Sequence, residues 1–538
     1  MVERSNMERL LSLTPDWPAQ AIAKYQTSGC WRGENLFQMV ADAARETPRS
    51  VALREGDRIL NYTNLHQKAL SLGLGLRAQG LNFGDCLVVQ LPNCIELVVT
   101  LFGCISQGIV PLFALPAHRH VELHAYCERI GARTLLLHDD DNGLGLQLMQ
   151  QGLIDRVITV ARSSRQHETA FATLLATVAE AHDARPSGAR DLALFQLSGG
   201  TTGIPKIIPR RHDDYLYSVR RSVEICELSS ETRYLSLIPL AHNFAMSSPG
   251  FLGVLLARGQ VILSQELGSA RVLSLIDQQY VNMVTMVPAL LARWVDWGMP
   301  DRLQGRNVLV QVGGAKLHRE LAHKAIASGS IRLQQVFGMA EGLVCYTAPN
   351  DPTEVVASTQ GTPMSELDEV ELRGQTDTAG ELCARGPYMI PGYFNDPHAD
   401  RQAFDLRGFY RSGDLVRRAH DGYLEVIGRS VETLNRNGEK IDPHEVENVM
   451  MKHPAVVDAV LVGLTATDGT LRLVLFAIAT QPLTLVQARE FLMTSLANFK
   501  LPDEVRLIDS LPLTAVGKVD RNEIRRLLRL SLMQKERC

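Results

Sequence analysis

Five short runs rich in leucine, valine and isoleucine are separated by stretches with helical periodicity: Cys86-Leu-Val-Val-Gln-Leu, Thr134-Leu-Leu-Leu-His, Arg233-Tyr-Leu-Ser-Leu-Ile, Met283-Val-Thr-Met-Val and Val308-Leu-Val-Gln-Val. A run that is apolar on both faces belongs in a sheet covered on both sides, and runs that alternate with helices are joined by crossovers. The expected fold is therefore α/β with largely parallel, buried strands. At 538 residues the chain exceeds what one core can hold, since single cores stop growing near about 250 to 300 residues. Two or more domains are expected.

The texture changes after about residue 360, where Gly, Asp and aromatic residues crowd together in Gly392-Tyr-Phe-Asn-Asp, Gly408-Phe-Tyr-Arg-Ser-Gly-Asp and Asp421-Gly-Tyr-Leu-Glu-Val. These read as hairpins of a smaller β-rich unit reaching to 428. A compact α+β module begins near Gly428. It has a helix starting at Pro443, strands at Ala459-Val-Leu-Val and Leu473-Val-Leu-Phe-Ala, and a second helix from Thr484, an N-cap, to Leu496. The Arg-rich end, Arg521 to Arg537, reads as a solvated amphipathic helix.

Composition excludes several function classes. With 45% hydrophobic and 21% charged residues and a net charge of −4, the chain is globular and gives no reason to invoke nucleic acid or an anionic membrane. The nine cysteines form no C-x-x-C pair and no zinc spacing, so a reducing cytoplasm is expected. No secretory signal is visible at the N-terminus. The most apolar stretch, Ile95 to Ala117, is broken by Gly103, Gly108 and Pro111, and is expected to be buried core rather than a membrane span.

The segment Ser198-Gly-Gly-Thr-Thr-Gly-Ile-Pro-Lys206 offers phosphate-binding chemistry. Its glycines (Gly199, Gly200, Gly203) permit close backbone approach, and the hydroxyls of Ser198, Thr201 and Thr202 can meet phosphate oxygens. It is not a Walker A loop, because Gly203 is followed by Ile-Pro-Lys. Glu341 in Phe337-Gly-Met-Ala-Glu has the carboxylate that Mg²⁺ takes beside phosphate oxygens. Asp414, in Tyr410-Arg-Ser-Gly-Asp, can accept both hydroxyls of a ribose. Lys518, in Pro512-Leu-Thr-Ala-Val-Gly-Lys, is a cation on a glycine-containing loop, suited to inserting beside a transferring phosphoryl group.

These motifs, with Gly428-Arg429, stand in the order found in the adenylate-forming superfamily of acyl-CoA synthetases, peptide synthetase adenylation domains and luciferases, which the chain resembles over well over half its length. The resemblance implies a large N-terminal adenylation domain of mixed sheets with a small β-barrel-like unit, residues 1–428, and a small mobile α+β C-terminal domain, 429–538. It implies ATP and Mg²⁺ as cofactors and Glu341 as the metal ligand. Ser198 through Gly203, Lys206, Gly314, Val336, Gly338, Met339, Ala340, Asp414, Arg429 and Lys440 would bind the nucleotide. Lys518, His242 and Glu341 would be the catalytic set. Since a carboxylate nucleophile is already deprotonated at neutral pH, His242 is not needed as a general base.

The segment Ala241-His-Asn-Phe-Ala-Met-Ser-Ser-Pro-Gly250 resembles the aryl-acid-activating branch that serves siderophore biosynthesis, as do Arg210-Arg-His-Asp-Asp-Tyr and Val312-Gly-Gly-Ala-Lys. By that resemblance Asn243 bonds the phenolic oxygen beside the carboxylate, Phe244 walls the ring, and Ser248, Gly314 and Val344 complete the pocket. Serine at 248 and valine at 344 favour 2,3-dihydroxybenzoate; salicylate, or an aryl-CoA product, is the alternative. The implied thiol acceptor is a phosphopantetheinylated aryl carrier protein. Three departures stand out: Phe244 where a tyrosine is usual, Cys345 where asparagine is common, and Val431 at the hinge position usually held by Lys or Asp. A β-branched hinge residue is stiffer, so the balance between two domain positions would shift.

Overall fold

The computed structural model describes residues 4–140, 143–161, 168–178, 183–198, 205–266, 268–374, 378–429, 434–436, 439–441, 443–465, 471–496, 498–514 and 519–535. They divide into two compact units. One is drawn from Met1–Gly200, Ile204–Glu369 and Ala384–Tyr410, the other from Val370–Cys383 and Arg411–Cys538.

All five runs that open the sequence argument are strands. In the first unit Cys86–Gln90 and Thr134–Leu137 belong to a seven-stranded sheet, while Arg233–Ser236, Met283–Met286 and Val308–Gly313 belong to a nine-stranded one. The interior pairings of both sheets are parallel. Antiparallel partners close an end of each, Ile207–Arg211 on Leu192–Leu197 in the first, and Val344–Tyr346 on Ile331–Gly338 followed by Thr362–Pro363 in the second. Met283–Met286 and Val308–Gly313 are buried along their whole length, which is why they carry no polar alternation. The apolar stretch from Ile95 is a helix, Ile95–Ser106, buried at every position but Glu96, and it leads into the buried strand Val110–Phe113. Among the described residues no helix is long and apolar enough to cross a membrane.

In the second unit Glu369–Gly374, Ala379–Arg385, Tyr410–Arg418 and Leu424–Arg429 form a four-stranded sheet. The hairpin expected around Asp421-Gly422 is present, with φ of 56° and 82° at those residues. Gly392-Tyr-Phe-Asn-Asp, in contrast, is not a hairpin. It belongs to the first unit, where the Phe394 N–H donates to Ile207 O (2.9 Å) and Asp396 caps the helix Pro397–Ala403.

The helix-strand-strand-helix order of the C-terminal module is as expected: Pro443–Met450, Val456–Thr465, Leu471–Ala479 and Leu485–Met493. Thr484 caps the last of these through a reciprocal pair with Gln487. A further strand, Glu504–Leu507, adds in parallel to Leu471–Ala479. Side chains alternate across this sheet. Leu461, Leu473 and Leu475 pack with Val446, Met450 and Leu492, while Val460, Val462, Val474 and Phe476 pack with Ile524 and Leu528 of the helix Arg521–Lys535.

Candidate active site

The phosphate loop springs from the seven-stranded sheet. Leu197 pairs with Ile207, and beyond that pair the Ser198 N–H donates to Lys206 O (3.0 Å) while the Lys206 N–H donates to Ser198 Oγ (2.9 Å). The neck of the loop is thus closed by two hydrogen bonds. Gly199, Gly200, Thr201, Thr202 and Gly203 lie outside the described residues.

Lys206 points its ammonium at the face of Tyr393, 4.7 Å from the ring centroid. The Tyr393 hydroxyl donates to Glu341 Oε1 at 2.8 Å, and both residues are nearly inaccessible, 1% and 6% exposed. Burial, and then the neighbouring Glu341 carboxylate, raise the Tyr393 phenol far above its ordinary value, so it remains a donor at any physiological pH.

Glu341 sits just past the carboxyl end of the strand Ile331–Gly338, on a turn closed by Met339 N–H to Leu343 O (3.1 Å) and Gly342 N–H to Met339 O (3.1 Å). Gly342, at φ 157°, lies so close to Met389 that a Cβ there would fall 2.5 Å from its Cα. Arg210 braces the preceding residue. Its guanidinium donates to Ala340 O (2.8 Å), Tyr388 O (2.6 Å) and Asp214 Oδ2 (2.9 Å). Burial raises the Asp214 carboxyl and the Arg210 charge opposes that rise. Severing such a buried pair costs roughly 3–5 kcal/mol.

The residues expected to line the acid pocket follow the strand Arg233–Ser236. His242 caps the short helix Asn243–Ser247, its Nδ1 accepting the Phe244 N–H (3.3 Å), so the neutral ring carries its proton on Nε2. Asn243 Oδ1 accepts the Tyr215 hydroxyl at 2.8 Å. The Phe244 ring packs on Gly313, where a Cβ would come within 2.9 Å of the ring and 2.5 Å of Val336 O. Gly314 follows at φ 85°. Gly338 stands opposite Val344 across the antiparallel edge, and Tyr346 on the same strand donates to Ser222 Oγ (2.8 Å). Ser248 is buried, 4% exposed. Cys345, between Val344 and Tyr346, is fully buried, and burial raises its thiol.

In the second unit Asp414 is 8% exposed and pairs in register with Arg429 across the hairpin, and Lys440 pairs with Asn435 in a two-stranded ladder. Two residues expected to hold the nucleotide therefore share one hairpin. Lys518 and the hinge residue Val431 lie outside the described residues. The segment carrying Lys518 is flanked by a bridge between Leu513 and Val519 and by Asp520 N–H to Pro512 O (2.8 Å).

Tyr393, Tyr215 and the bracing role of Arg210 have no counterpart in the sequence reading. Buried tyrosines are unremarkable by type, and only their partners across the chain mark them.

In the first unit Asn243, Phe244, Gly314 and Glu341 all lie just beyond the carboxyl ends of parallel strands, where open α/β sheets bind small molecules. That placement is where a small-molecule site is expected, and comparison with known proteins gives the class of protein. The AMP-binding enzyme family matches residues 40–394 and the AMP-binding enzyme C-terminal domain matches 445–518; the chain belongs to this family of adenylate-forming enzymes. Enterobactin synthase component E of Escherichia coli is 41% identical over 95% of this chain and 98% of its own length. The 2,3-dihydroxybenzoate-AMP ligase of Bacillus subtilis is 38% identical over 97% and 99%. Among solved structures, apo MbtA of Mycobacterium smegmatis superposes with a TM-score of 0.74 at 34% identity, covering 96% and 99% of the two chains.

Proposed function

We propose that this chain activates 2,3-dihydroxybenzoate with ATP and passes the acyl group to the phosphopantetheine thiol of a separate aryl carrier protein, in siderophore biosynthesis. The observation that supports the reading is local geometry: Asn243, Phe244 and Ser248 lie on one segment, the Phe244 ring packs on Gly313, and Val344 stands opposite Gly338. The full-length similarity to the Bacillus ligase supports the same acid.

In the first half-reaction an oxygen of the aryl carboxylate attacks the α-phosphorus of ATP. The bond to the bridging oxygen breaks, giving aryl-AMP and pyrophosphate. Ser198 to Lys206 hold the departing phosphates, Asp414 and Arg429 the ribose, and Lys440 the adenylate. Lys518 inserts between the carboxylate and the α-phosphate, and His242 steadies the carboxylate or the loop without taking a proton. Holding the reactants in line supplies much of the rate.

Glu341 suits Mg²⁺. Tyr393 occupies one carboxylate oxygen, and among the described residues the other has no hydrogen-bond partner. Mg²⁺ characteristically takes one or two carboxylates together with phosphate oxygens. When bound, the ion would offset charge on the leaving pyrophosphate.

For the second half-reaction the C-terminal domain, 429–538, turns about Val431, and the carrier thiol attacks the mixed anhydride. The cytoplasm is the proposed location, which fits eight buried cysteines that form no disulfide among the described residues. Salicylate is the second reading for the acid. It is favoured by Phe244, whose ring adds no hydroxyl to the pocket wall.

Acid-dependent ATP–pyrophosphate exchange with 2,3-dihydroxybenzoate, salicylate and benzoate side by side tests the reading, with the first expected to be fastest. In the same assay Lys518→Ala should lose exchange by orders of magnitude yet still transfer preformed aryl-AMP. Exchange that survives the substitution would overturn the role given to Lys518.

A further inference from the structure

Asn243 can present either its amide oxygen or its amide N–H₂ to a ligand, and the surrounding protein decides which. Tyr215, fully buried on the helix His212–Ile225, donates its hydroxyl to Asn243 Oδ1 at 2.8 Å. Ser247 Oγ lies 3.2 Å from the same oxygen and 3.3 Å from the Asn243 backbone O, so its single proton is shared between the two. The Tyr215 oxygen in turn lies 3.5 Å from Gln196 Nε2, which donates toward it, so the tyrosine proton is directed to the asparagine. The chain Gln196 to Tyr215 to Asn243 therefore runs one way, and the Asn243 carbonyl is taken by Tyr215, with Ser247 as a second, shared donor. Its Nδ2 has no hydrogen-bond partner among the described residues, while the residue keeps 8% of its surface accessible. An amide nitrogen in that position is a donor only.

We propose that Tyr215 is a positioning residue that fixes the amide of Asn243 as a donor and thereby makes the pocket select acids with an acceptor ortho to the carboxylate. This rests on the aryl-acid reading above and deepens it. A hydroxyl beside a carboxylate turns its proton inward to that carboxylate and leaves its oxygen lone pair outward, which matches the Nδ2 donor. An ortho-amino group offers outward N–H, and its nitrogen lone pair is delocalised into the ring. Donor then faces donor, and both groups go unpaired on leaving water. The selection is therefore for 2-hydroxy over 2-amino acids, a distinction of polarity that size alone could not make.

The experiment compares kcat/KM in ATP–pyrophosphate exchange for salicylate, 2-aminobenzoate and benzoate, with the full-length wild-type enzyme and with Tyr215→Phe, Ser247→Ala and the double variant. Phenylalanine keeps the buried ring and removes only the donor. The salicylate to 2-aminobenzoate ratio should fall about fivefold in Tyr215→Phe, less in Ser247→Ala and further in the double variant, as the amide becomes free to turn over. The salicylate to benzoate ratio should fall with it. A merely structural role for Tyr215 would lower all three acids together and leave both ratios unchanged, and that result overturns the proposal. Should Tyr215→Phe not fold, Ser247→Ala alone carries the same test, and an unchanged ratio there counts against it. Failure of the underlying reading would look different, because the wild-type enzyme would then exchange with none of the three acids.

Discussion

Tyr393→Phe isolates the contact that joins the phosphate loop to Glu341. The substitution keeps the aromatic face 4.7 Å from Lys206 Nζ and removes only the hydroxyl that donates to Glu341 Oε1 at 2.8 Å. A hydrogen bond to a charged acceptor contributes roughly 1.5–3 kcal/mol. With Glu341 only 6% exposed, water cannot fully replace the lost donor. The melting temperature of the protein without ligand should fall by about 2 to 4 °C, allowing about 1.2 °C per kcal/mol for a unit of this size.

The functional loss should be separable from this. A carboxylate no longer held on one oxygen spends less time facing the phosphates, and about 1 kcal/mol of lost orientation corresponds to a fall of roughly fivefold in kcat/KM for MgATP. The KM for the aryl acid should be unaffected, because Asn243 and Phe244 follow a different strand. Exchange kinetics with MgATP varied at saturating acid, and the acid varied at saturating MgATP, give both numbers. Lys206→Met, which removes the cation but leaves the Tyr393–Glu341 bond, serves as the contrast and should leave the melting temperature nearer to wild type. If Tyr393→Phe changes neither the melting temperature nor kcat/KM for MgATP beyond experimental scatter, the hydrogen bond does not hold Glu341 and the reasoning fails.

Two other changes test separate parts of the site. Ser248→Cys replaces a strong hydrogen-bonding hydroxyl with a weak one, so the preference for 2,3-dihydroxybenzoate over salicylate should drop on the order of tenfold in kcat/KM; an unchanged ratio would remove Ser248 from the acid pocket. Asp368 gives a pH signature. Burial pushes its carboxyl up to about 7, with Tyr388 donating to one oxygen at 2.6 Å and the other oxygen left without a partner among the described residues. Because the folded value lies above the unfolded one, the stability this group contributes is fully present below the unfolded value near 4 and is lost as pH rises through about 7. Wild type should therefore melt lower at about pH 8 than at about pH 6, with Asp368→Asn showing the smaller drop; parallel curves for the two proteins would show that Asp368 does not ionise in this window.

Legibility in the sequence follows the range of the interaction that fixes each feature. The strands at Met283 and Val308 are legible because burial on both faces writes itself into consecutive residues. The helix after Thr484 is legible because its cap is three residues away in Gln487. Gly392-Tyr-Phe-Asn-Asp carries the same local punctuation as a hairpin, yet its partner is Ile207, far back in the chain, and no local pattern reports that. The same distance hides Tyr393 and Arg210, whose partners Glu341 and Ala340 lie 52 and 130 residues away.

Asn243 and Ser248 mark the acid pocket by residue type through a family resemblance, but the type of an amide or hydroxyl leaves its hydrogen-bonding sense undecided. That sense is imposed from beneath. Tyr215 takes the Asn243 carbonyl, and Tyr346 spends its own proton on Ser222. On the proposed reading the Asn243 amide nitrogen is thereby left as the donor facing the ortho position of a bound aryl acid. An asparagine at the same place, set over a phenylalanine in place of Tyr215, would keep the residue type and lose that direction.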